Sequence, residues 1–302
     1  MKKIILSLIA LMAAVSTNAQ VVEVYENGEL LNTYYNTPKK NYKVVFKDSD
    51  DGTNTINGHE FVKIAGRKWA TMNVGATTVA DSWDTSYGDF YAWGETTTYY
   101  KSVEKETVMM GKYVSDAHVP GKKDLYNFTY YSGTANNTFK EWSTVPYDAS
   151  TKVLTADNDV ASAVWGGSWR MPTNDDYMSL INACGGGSKP VAVSETITQG
   201  GIYWIPAGGK TVDGTQYNVA GVLFVVKGDI SKRVFFPAAG NIQQNQHHSA
   251  DSHVIYWASE LNTDVTTDAR YANTLSVASD HINARHDKLY RYCGLSVRPV
   301  SD

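Results

Sequence analysis

The stretch Trp165-Gly-Gly-Ser-Trp-Arg-Met-Pro-Thr173 constrains the fold more strongly than any other part of the chain. Two tryptophans flank a Gly-Gly-Ser turn, and large aromatic side chains this close to a tight turn usually anchor a core. We therefore predict that Trp165 and Trp169 are buried and fix how the turn packs. The alternative is that the motif frames a functional site.

A short helix is predicted directly after this turn. Thr173 is a favourable N-cap residue, and Asp176 follows three residues later, as in a capping box. Gly185 is a typical residue at which a helix ends. Helical spacing places four residues on one apolar face: Tyr177, Leu180, Ile181 and Cys184. A second helix is predicted over residues 154–165, with Thr155 as its N-cap.

The remaining sequence predicts short antiparallel strands separated by glycine, proline and polar turns. Aromatic residues make up 12% of the chain, and this balance suits strands and loops better than long helices. Strands are expected at residues 60–64, 68–72, 196–205, 211–218, 221–226, 233–236, 254–258, 271–278 and 290–300. The predicted fold class is α+β, with antiparallel sheets, two helices and long loops.

Residues 1–19 are predicted to be a signal peptide. Lys2 and Lys3 form a charged start, residues 4–15 are apolar but too short to span a bilayer, and Thr17-Asn-Ala19 is a small-residue cleavage site. No cysteine follows the apolar stretch, which argues against a lipid anchor, and no membrane span is expected elsewhere. We therefore expect export by the Sec route to the periplasm, the cell surface or the medium.

The rest of the chain, residues 20–302, is predicted to consist of a small β unit, a linker and a main domain. Residues 20–47 predict a small β unit, because Asn27-Gly28 is a favoured hairpin turn and a third strand is expected at residues 42–46. Residues 48–58 are polar and predict a linker, and the main domain is expected at residues 59–302. Since three short strands are marginal alone, residues 21–47 could pair with a strand of another chain.

Net charge and cysteine content bear on two further points, nucleic-acid binding and disulfide formation. The formal net charge is −4 and no basic face stands out, so nucleic-acid binding has no electrostatic support. The two cysteines, Cys184 and Cys293, could form a disulfide in an oxidising compartment or remain as buried thiols.

A series of ordered motifs in residues 59–300 resembles a known family. These motifs are Gly66-x-x-Trp69-Ala-Thr-Met-Asn-Val-Gly75, Gly88-Asp-Phe-Tyr-Ala-Trp-Gly-Glu95, Asp159-Val-Ala-Ser-Ala-Val-Trp-Gly-Gly-Ser-Trp-Arg-Met-Pro-Thr173, Phe236-Pro-Ala-Ala-Gly240, Tyr256-Trp-Ala-Ser259 and Gly294-Leu-Ser-Val-Arg298. They look like the Fibrobacter succinogenes major paralogous domain, which is common on exported Bacteroidetes proteins.

This resemblance implies a fold related to C-type lectins and to formylglycine-generating enzymes. We would then expect a twisted antiparallel core, two flanking helices, paired N- and C-terminal strands, and a loop-rich face for ligands. Formylglycine-generating enzymes use two closely spaced cysteines late in the chain, whereas Cys293 has no such neighbour. The calcium-binding motifs of C-type lectins do not occur either. We therefore expect no enzyme activity and no cofactor.

Two local motifs allow other chemistry. His247, Asp251 and His253 could bind zinc, but loop histidines without a fourth ligand are usually solvated, so no metal is predicted. The stretch Gly208-Gly-Lys-Thr211 lacks the first glycine of a phosphate-binding loop, because Trp204 occupies that position, and is interpreted as a turn.

Two arginines within the motifs are predicted to be structural. Arg170 and Arg298 could hold an anion, or they could pair with acids such as Asp159 or Asp176. We predict the buried pairing, because isolated buried charges are costly.

The predicted ligand surface combines two polar loops, residues 241–253 and 279–290, with nearby aromatic side chains. Loops of this composition, presented by strands, suit an adaptable binding surface. The residues expected to line it are Trp93, His253, Trp257, His281, Asn283, Arg285, Asp287 and Tyr290.

These observations favour an exported, non-catalytic binding or adhesion protein whose partner is an extracellular protein or glycan. One alternative is a glycan-active hydrolase of unrecognised type, because the many carboxylates do not single out a catalytic pair. Another is a structural, fimbria-like component of the cell surface in which residues 21–47 pair with another chain.

Overall fold

The computed structural model describes residues 21–26, 29–35, 54–98, 147–243, 246–263, 271–284, 287–291 and 293–302. The chain divides into two compact units, residues 1–49 and 50–302. In the first unit, strands β1 (Val21–Glu26) and β2 (Glu29–Tyr35) pair antiparallel, with a register irregularity after Val24. This confirms the predicted hairpin. The predicted signal peptide and the third strand at residues 42–46 lie outside the described residues.

The second unit is built mainly from short strands. They are β3 (Thr55–Ile56), β4 (His59–Ile64), β5 (Arg67–Ala70), β6 (Val191–Ala192), β7 (Gly201–Ile205), β8 (Lys210–Val212), β9 (Thr215–Tyr217), β10 (Gly221–Val225), β11 (Arg233–Pro237), β12 (Asn241–Gln243), β13 (Gln246–His248), β14 (Val254–Leu261), β15 (Tyr271–Ala278), β16 (His281–Asn283), β17 (Lys288–Tyr290) and β18 (Val300–Ser301). The described α-helices are α1 (Trp83–Ser86), α2 (Val160–Trp165) and α3 (Asn174–Ala183).

Strand pairing in the described residues is predominantly antiparallel, as the sequence predicts. One sheet has the order β11-β10-β7-β6, and within it β6 runs parallel to β7. A second sheet has β15 between β14 on one side and β16 and β17 on the other. A third joins β3, β4 and β5 to β18, so the last strand pairs with a strand near the start of the unit.

Two hydrophobic clusters lie on opposite faces of the central strands. On β14, Ile255 and Trp257 belong to one cluster, whereas Val254 and Tyr256 belong to the other. Side chains alternate between the two faces of a strand, so both faces of β14 are covered. The five residues of β10 are likewise all buried.

Helix α3 begins and packs as the sequence predicts. The Thr173 hydroxyl accepts a hydrogen bond from the backbone N–H of Asp176, and the Asp176 carboxylate accepts one from the backbone N–H of Thr173. This reciprocal capping box confirms the prediction. The predicted apolar face is buried in the second cluster: Tyr177, Leu180, Ile181 and Cys184.

The signature turn before α3 is also buried. Trp165 and Trp169 are 7% and 1% exposed, and their rings meet edge to face with centroids 5.4 Å apart. The indole N–H of Trp169 donates to the carbonyl of Ile56, which ties the turn to β3.

The helix predicted over residues 154–165 is divided in two. A 3-10 turn at Ala156–Asn158 comes first, and α2 begins only after Asp159. The Asp159 carboxylate accepts from the backbone N–H of Ser162 and is therefore the N-cap of α2, in place of the predicted Thr155. The predicted linker also ends early, because β3 lies within residues 48–58.

Several predicted strands and loops have different boundaries. The strand predicted at residues 211–218 is the hairpin of β8 and β9, and the one predicted at residues 196–205 is limited to β7. The strand predicted at residues 290–300 is replaced by β17, isolated bridges and the short β18. Both predicted polar loops contain strands, β12 and β13 in the first and β16 and β17 in the second.

The possible disulfide between Cys184 and Cys293 is not formed. Both residues are free and buried, and they belong to different hydrophobic clusters. Burial raises the pKa of the Cys184 thiol to about 12 and also raises that of Cys293. None of the three described α-helices has the length and the apolar composition needed to cross a bilayer.

Candidate functional site

The hairpin that β15 forms with β16 and β17 carries four of the eight predicted ligand residues: His281, Asn283, Asp287 and Tyr290. Strand β15 pairs first with β16, where Ala278 is opposite His281, and then with β17, where Tyr271 is opposite Tyr290. Arg285, a predicted ligand residue, lies outside the described residues.

One end of this hairpin brings together two histidines that are distant in sequence. His253 and His281 have ring centroids 5.9 Å apart, and we call them the histidine pair. His253 directly precedes β14, whose first residue Val254 is opposite Val277 on β15, and the next residue of β15, Ala278, is opposite His281. The two histidines thus approach each other from strand segments that flank β15 on either side.

Each imidazole of the histidine pair is oriented by a neighbouring residue. His253 Nδ1 is 3.0 Å from Ser252 Oγ, and His281 Nδ1 donates to Asp280 Oδ1 over 2.8 Å. His281 Nε2 is also 3.3 Å from Ser276 Oγ, which lies on β15 directly opposite Asn283. The Asp280 pKa is lowered, chiefly by its hydrogen bond with His281. The end of the hairpin is thus a polar surface with two imidazoles at its centre.

The other end of the hairpin is aromatic. Tyr271 and Tyr290 stack with ring centroids 4.6 Å apart, and Lys288 Nζ lies 5.6 Å from the Tyr271 ring centroid. The carbonyl of Asp287 accepts from the backbone N–H of Thr274. Seven residue steps along β15, at about 3.3 Å each, separate this tyrosine pair from the histidine pair by roughly 23 Å. The predicted ligand residues therefore form two surfaces.

The two tryptophans predicted to line the ligand surface are core residues instead. Trp93 is 1% exposed and Trp257 is fully buried. The Trp93 indole N–H donates to the carbonyl of Ala258, and that of Trp257 donates to the carbonyl of Tyr91. Both predictions were wrong. Trp257 is on β14, which is covered on both faces, and Trp93 lies in a turn, from which its indole packs into the same hydrophobic cluster as Trp257.

The possible zinc ligands of residues 247–253 do not converge. His247 Nε2 donates to the carbonyl of Ala239, and Asp251 accepts from the hydroxyl of Tyr87, whereas His253 faces His281. Within the described parts of the chain, no three histidine, cysteine or acidic side chains form a metal-binding group.

Arg170 is engaged in structural ion pairs, as predicted. Its guanidinium contacts Asp176 at 2.6 Å and Asp302 at 2.8 Å, and Arg67 contacts the same Asp176 carboxylate. Arg298 is structural too, but its hydrogen-bond acceptors are not carboxylates. It donates to Asn73 and to the carbonyls of Ala70 and Phe235.

A shallow depression elsewhere combines two residues of the predicted glycine turn with four residues that were not predicted to be functional. Its volume is about 540 Å³, and its lining comprises Glu195, Thr196, Lys210, Thr211, Asp213 and Gly214. Lys210 and Thr211 belong to the predicted glycine turn, in which Gly208 and Gly209 have positive φ. The Asp213 carboxylate accepts from Arg233 and from the backbone of Ile197, so it is part of the wall.

Ser252 and Asp280, the residues that orient the histidine pair, were not predicted from the sequence. Adjacency was the available signal, since each directly precedes one of the histidines. Tyr271 and Lys288 were overlooked as well, because their relation to Tyr290 depends on the register of β15 and β17.

No protein-family model matches the chain, and no curated protein or solved structure is significantly similar to it.

Proposed function

We propose that this is an exported, non-catalytic binding protein that recognises an extracellular protein or glycan through the hairpin of β15, β16 and β17. The observation that carries the proposal is the convergence of two polar segments at one end of that hairpin. His253 comes from one predicted ligand loop, and His281 and Asn283 come from the other, yet the two histidines are neighbours.

The hairpin is well suited to present a binding surface. Strand β14 is almost entirely buried, and seven of the eight residues of β15 are buried as well. A surface mounted on such a rigid support loses little conformational entropy when a ligand binds. The exposed polar groups at the histidine end and the stacked tyrosines at the other end offer hydrogen bonds and apolar area to a ligand.

The fold that we propose for the second unit is C-type lectin-like. Support comes from the motif resemblance, from the pairing of β5 with β18, and from the predominance of antiparallel strands. In this interpretation residues 1–19 direct export, and the ligand surface lies on strand-borne turns.

The buried aspartates are engaged in structural roles, which supports a non-catalytic function. Asp159 accepts hydrogen bonds from the backbone of Met171 and Ser162, and Asp176 is held by two arginines. The residue that best suits the hydrolase alternative is Glu260. Burial, together with Asp175 and Asp176, raises its pKa, although it accepts from the backbone of Asn174 at the start of α3.

The test is a binding screen of the purified protein against glycan and protein arrays. We expect a saturable ligand whose binding is weakened by Asn283→Ala or by Tyr290→Ala, depending on which end it contacts. Asn182→Ala, which changes an exposed residue of α3, is the matched control and should bind as the unchanged protein does. Equal binding by all three variants would exclude the hairpin as the ligand surface. Turnover of a polysaccharide that Glu260→Gln abolishes would establish the hydrolase instead.

One observation favours the structural alternative. In the described residues, β1 and β2 form a sheet of two strands. Two-stranded sheets are marginal alone, and their edges readily pair with other chains. Polymers that grow with protein concentration and disappear on deletion of residues 21–47 would support a fimbria-like role.

A further inference from the structure

We propose that His253 and His281 form the two-imidazole core of a binding site for a divalent transition-metal ion such as Zn²⁺. This inference does not depend on the proposed function. It concerns a different set of atoms from the zinc possibility raised by the sequence, since His247 and Asp251 are directed elsewhere.

The distance between the rings suits a shared metal ion. Two imidazoles that bind one tetrahedral Zn²⁺ through Nε2, at about 2.0–2.1 Å, have ring centroids about 5 Å apart. The centroids of His253 and His281 are 5.9 Å apart. A shared ion therefore requires the two ring centroids to approach each other by about 1 Å.

Hydrogen bonds leave the Nε2 lone pair of His253 available. The Ser252 hydroxyl donates its proton to the carbonyl of Ser249. Its oxygen is therefore the acceptor in the contact with His253, so His253 carries its proton on Nδ1. A neutral imidazole protonated on Nδ1 has its lone pair on Nε2, which is the atom needed to bind a metal ion.

The same logic applies to His281. Its Nδ1 donates to the Asp280 carboxylate, which can only accept while it is ionised. A histidine whose Nδ1–H is bound by a carboxylate is the usual arrangement around zinc, because the carboxylate orients the ring and increases its basicity. Ser276 Oγ, 3.3 Å from His281 Nε2, is the group that a metal ion would displace or recruit.

The donor set determines the kind of ion. Imidazole nitrogens favour Zn²⁺, Cu²⁺ and Ni²⁺ over Ca²⁺ and Mg²⁺, which prefer oxygen ligands. With two protein nitrogens, the remaining coordination positions are open to water or to an atom of a ligand. Asp280 stays behind His281, where its carboxylate accepts from Nδ1.

The experiment is a titration of the untagged protein with Zn²⁺ by isothermal calorimetry, since a histidine tag would itself bind the metal. We expect saturable binding that is lost in His253→Gln and in His281→Gln. His248→Gln is the matched control, because His248 is an exposed histidine of β13. Asp280→Asn keeps both ligands and should weaken binding by about 10–100-fold.

Thermal unfolding followed by circular dichroism supplies a second readout and shows that each variant folds. A ligand that binds only the native state raises its melting temperature. Zn²⁺ should therefore raise the melting temperature of the unchanged protein and of His248→Gln, but not of the two ligand variants. The proposal fails if the unchanged protein does not bind Zn²⁺, or if His253→Gln and His281→Gln bind it as tightly as the control does.

Discussion

Arg298 Nε donates a hydrogen bond to Asn73 Oδ1 over 2.9 Å, and both side chains are completely buried. The two residues are 225 positions apart in the sequence of the second unit. Their contact therefore links the segment before β18 to the segment after β5. Asn73 Nδ2 in turn donates to the carbonyl of Tyr87 and to the hydroxyl of Tyr256. The guanidinium also lies over the Phe236 ring, 4.5 Å from its centroid. Burial lowers the pKa of Arg298 to about 10.

Replacing Arg298 should destabilise the protein strongly. Arg298→Met would remove a charge but leave the Asn73 amide oxygen and the carbonyls of Ala70 and Phe235 without their buried donor. Stranded polar groups of this kind cost about 1–3 kcal/mol each, so we expect a loss of at least about 3 kcal/mol in the free energy of unfolding. Urea denaturation measures it. Lys232→Met, which removes an exposed ion pair with Asp229, is the control and should give no measurable change.

Trp169 should behave as a core residue and not as a ligand contact. Trp169→Ala would leave a large cavity and remove the donor to Ile56, at a cost of roughly 3–5 kcal/mol. Trp83→Ala changes a tryptophan that is 41% exposed and should cost less. Denaturation of both variants decides the matter. If Trp169→Ala keeps its stability but loses binding, the signature turn is a functional site.

Asp159 should make the stability depend on pH. Burial raises the pKa of its carboxyl from 3.8 to about 6, despite hydrogen bonds from the backbone of Met171 and Ser162. The folded protein therefore binds this proton more tightly than the unfolded chain does. The free energy of unfolding should therefore fall by roughly 3 kcal/mol as the pH rises from 3.8 to about 6, and then level off.

Asp159→Asn provides the comparison for this effect. Asparagine remains neutral and is also a good N-cap, but its amide group can accept at only one of its two terminal atoms. We expect a lower stability at acidic pH and a flatter pH dependence of the unfolding free energy between about pH 4 and pH 6. A slope that is unchanged in the variant would assign the pH dependence to other groups.

Asp176 should act in the opposite direction and at lower pH. Burial alone would raise its pKa, but hydrogen bonds from Arg170, Thr173 and Arg67 outweigh burial and lower it. The unfolded chain then binds the proton more readily. The stabilisation that Asp176 contributes is therefore fully present above about pH 3.8 and is lost as the pH falls further. Acid should destabilise the unchanged protein and the control Asp157→Asn, in which an exposed aspartate is replaced, more than Asp176→Asn, which lacks the titrating carboxylate. Acid unfolding of the three proteins measures the difference.

Features determined by neighbouring residues were predictable from the sequence. The capping box of α3 depends on Thr173 and Asp176, which are three residues apart, and its buried face depends on helical periodicity. The strand at residues 271–278 was predicted with its observed limits because turn residues flank it on both sides. In these cases the local preference and the tertiary environment agree.

Features determined by packing between distant segments were not predictable. Tyr256 and Trp257 are adjacent on β14 and point to opposite faces, but each face meets a hydrophobic cluster. No alternation with polar residues marks a strand that is covered on both sides. The histidine pair likewise depends on how β14 and β16 flank β15, and the sequence of any one of these strands does not contain that information.

The two cysteines allow a direct test of the covalent structure. Because both thiols are free and buried with raised pKa values, they should react slowly with iodoacetamide in the native protein. In denaturant without reductant, intact-mass analysis should show that both become alkylated. Dithiothreitol should leave the melting temperature unchanged, since there is no disulfide to reduce. Alkylation that requires prior reduction would instead reveal a bond between Cys184 and Cys293 and would show that their two segments approach each other more closely than in this structure.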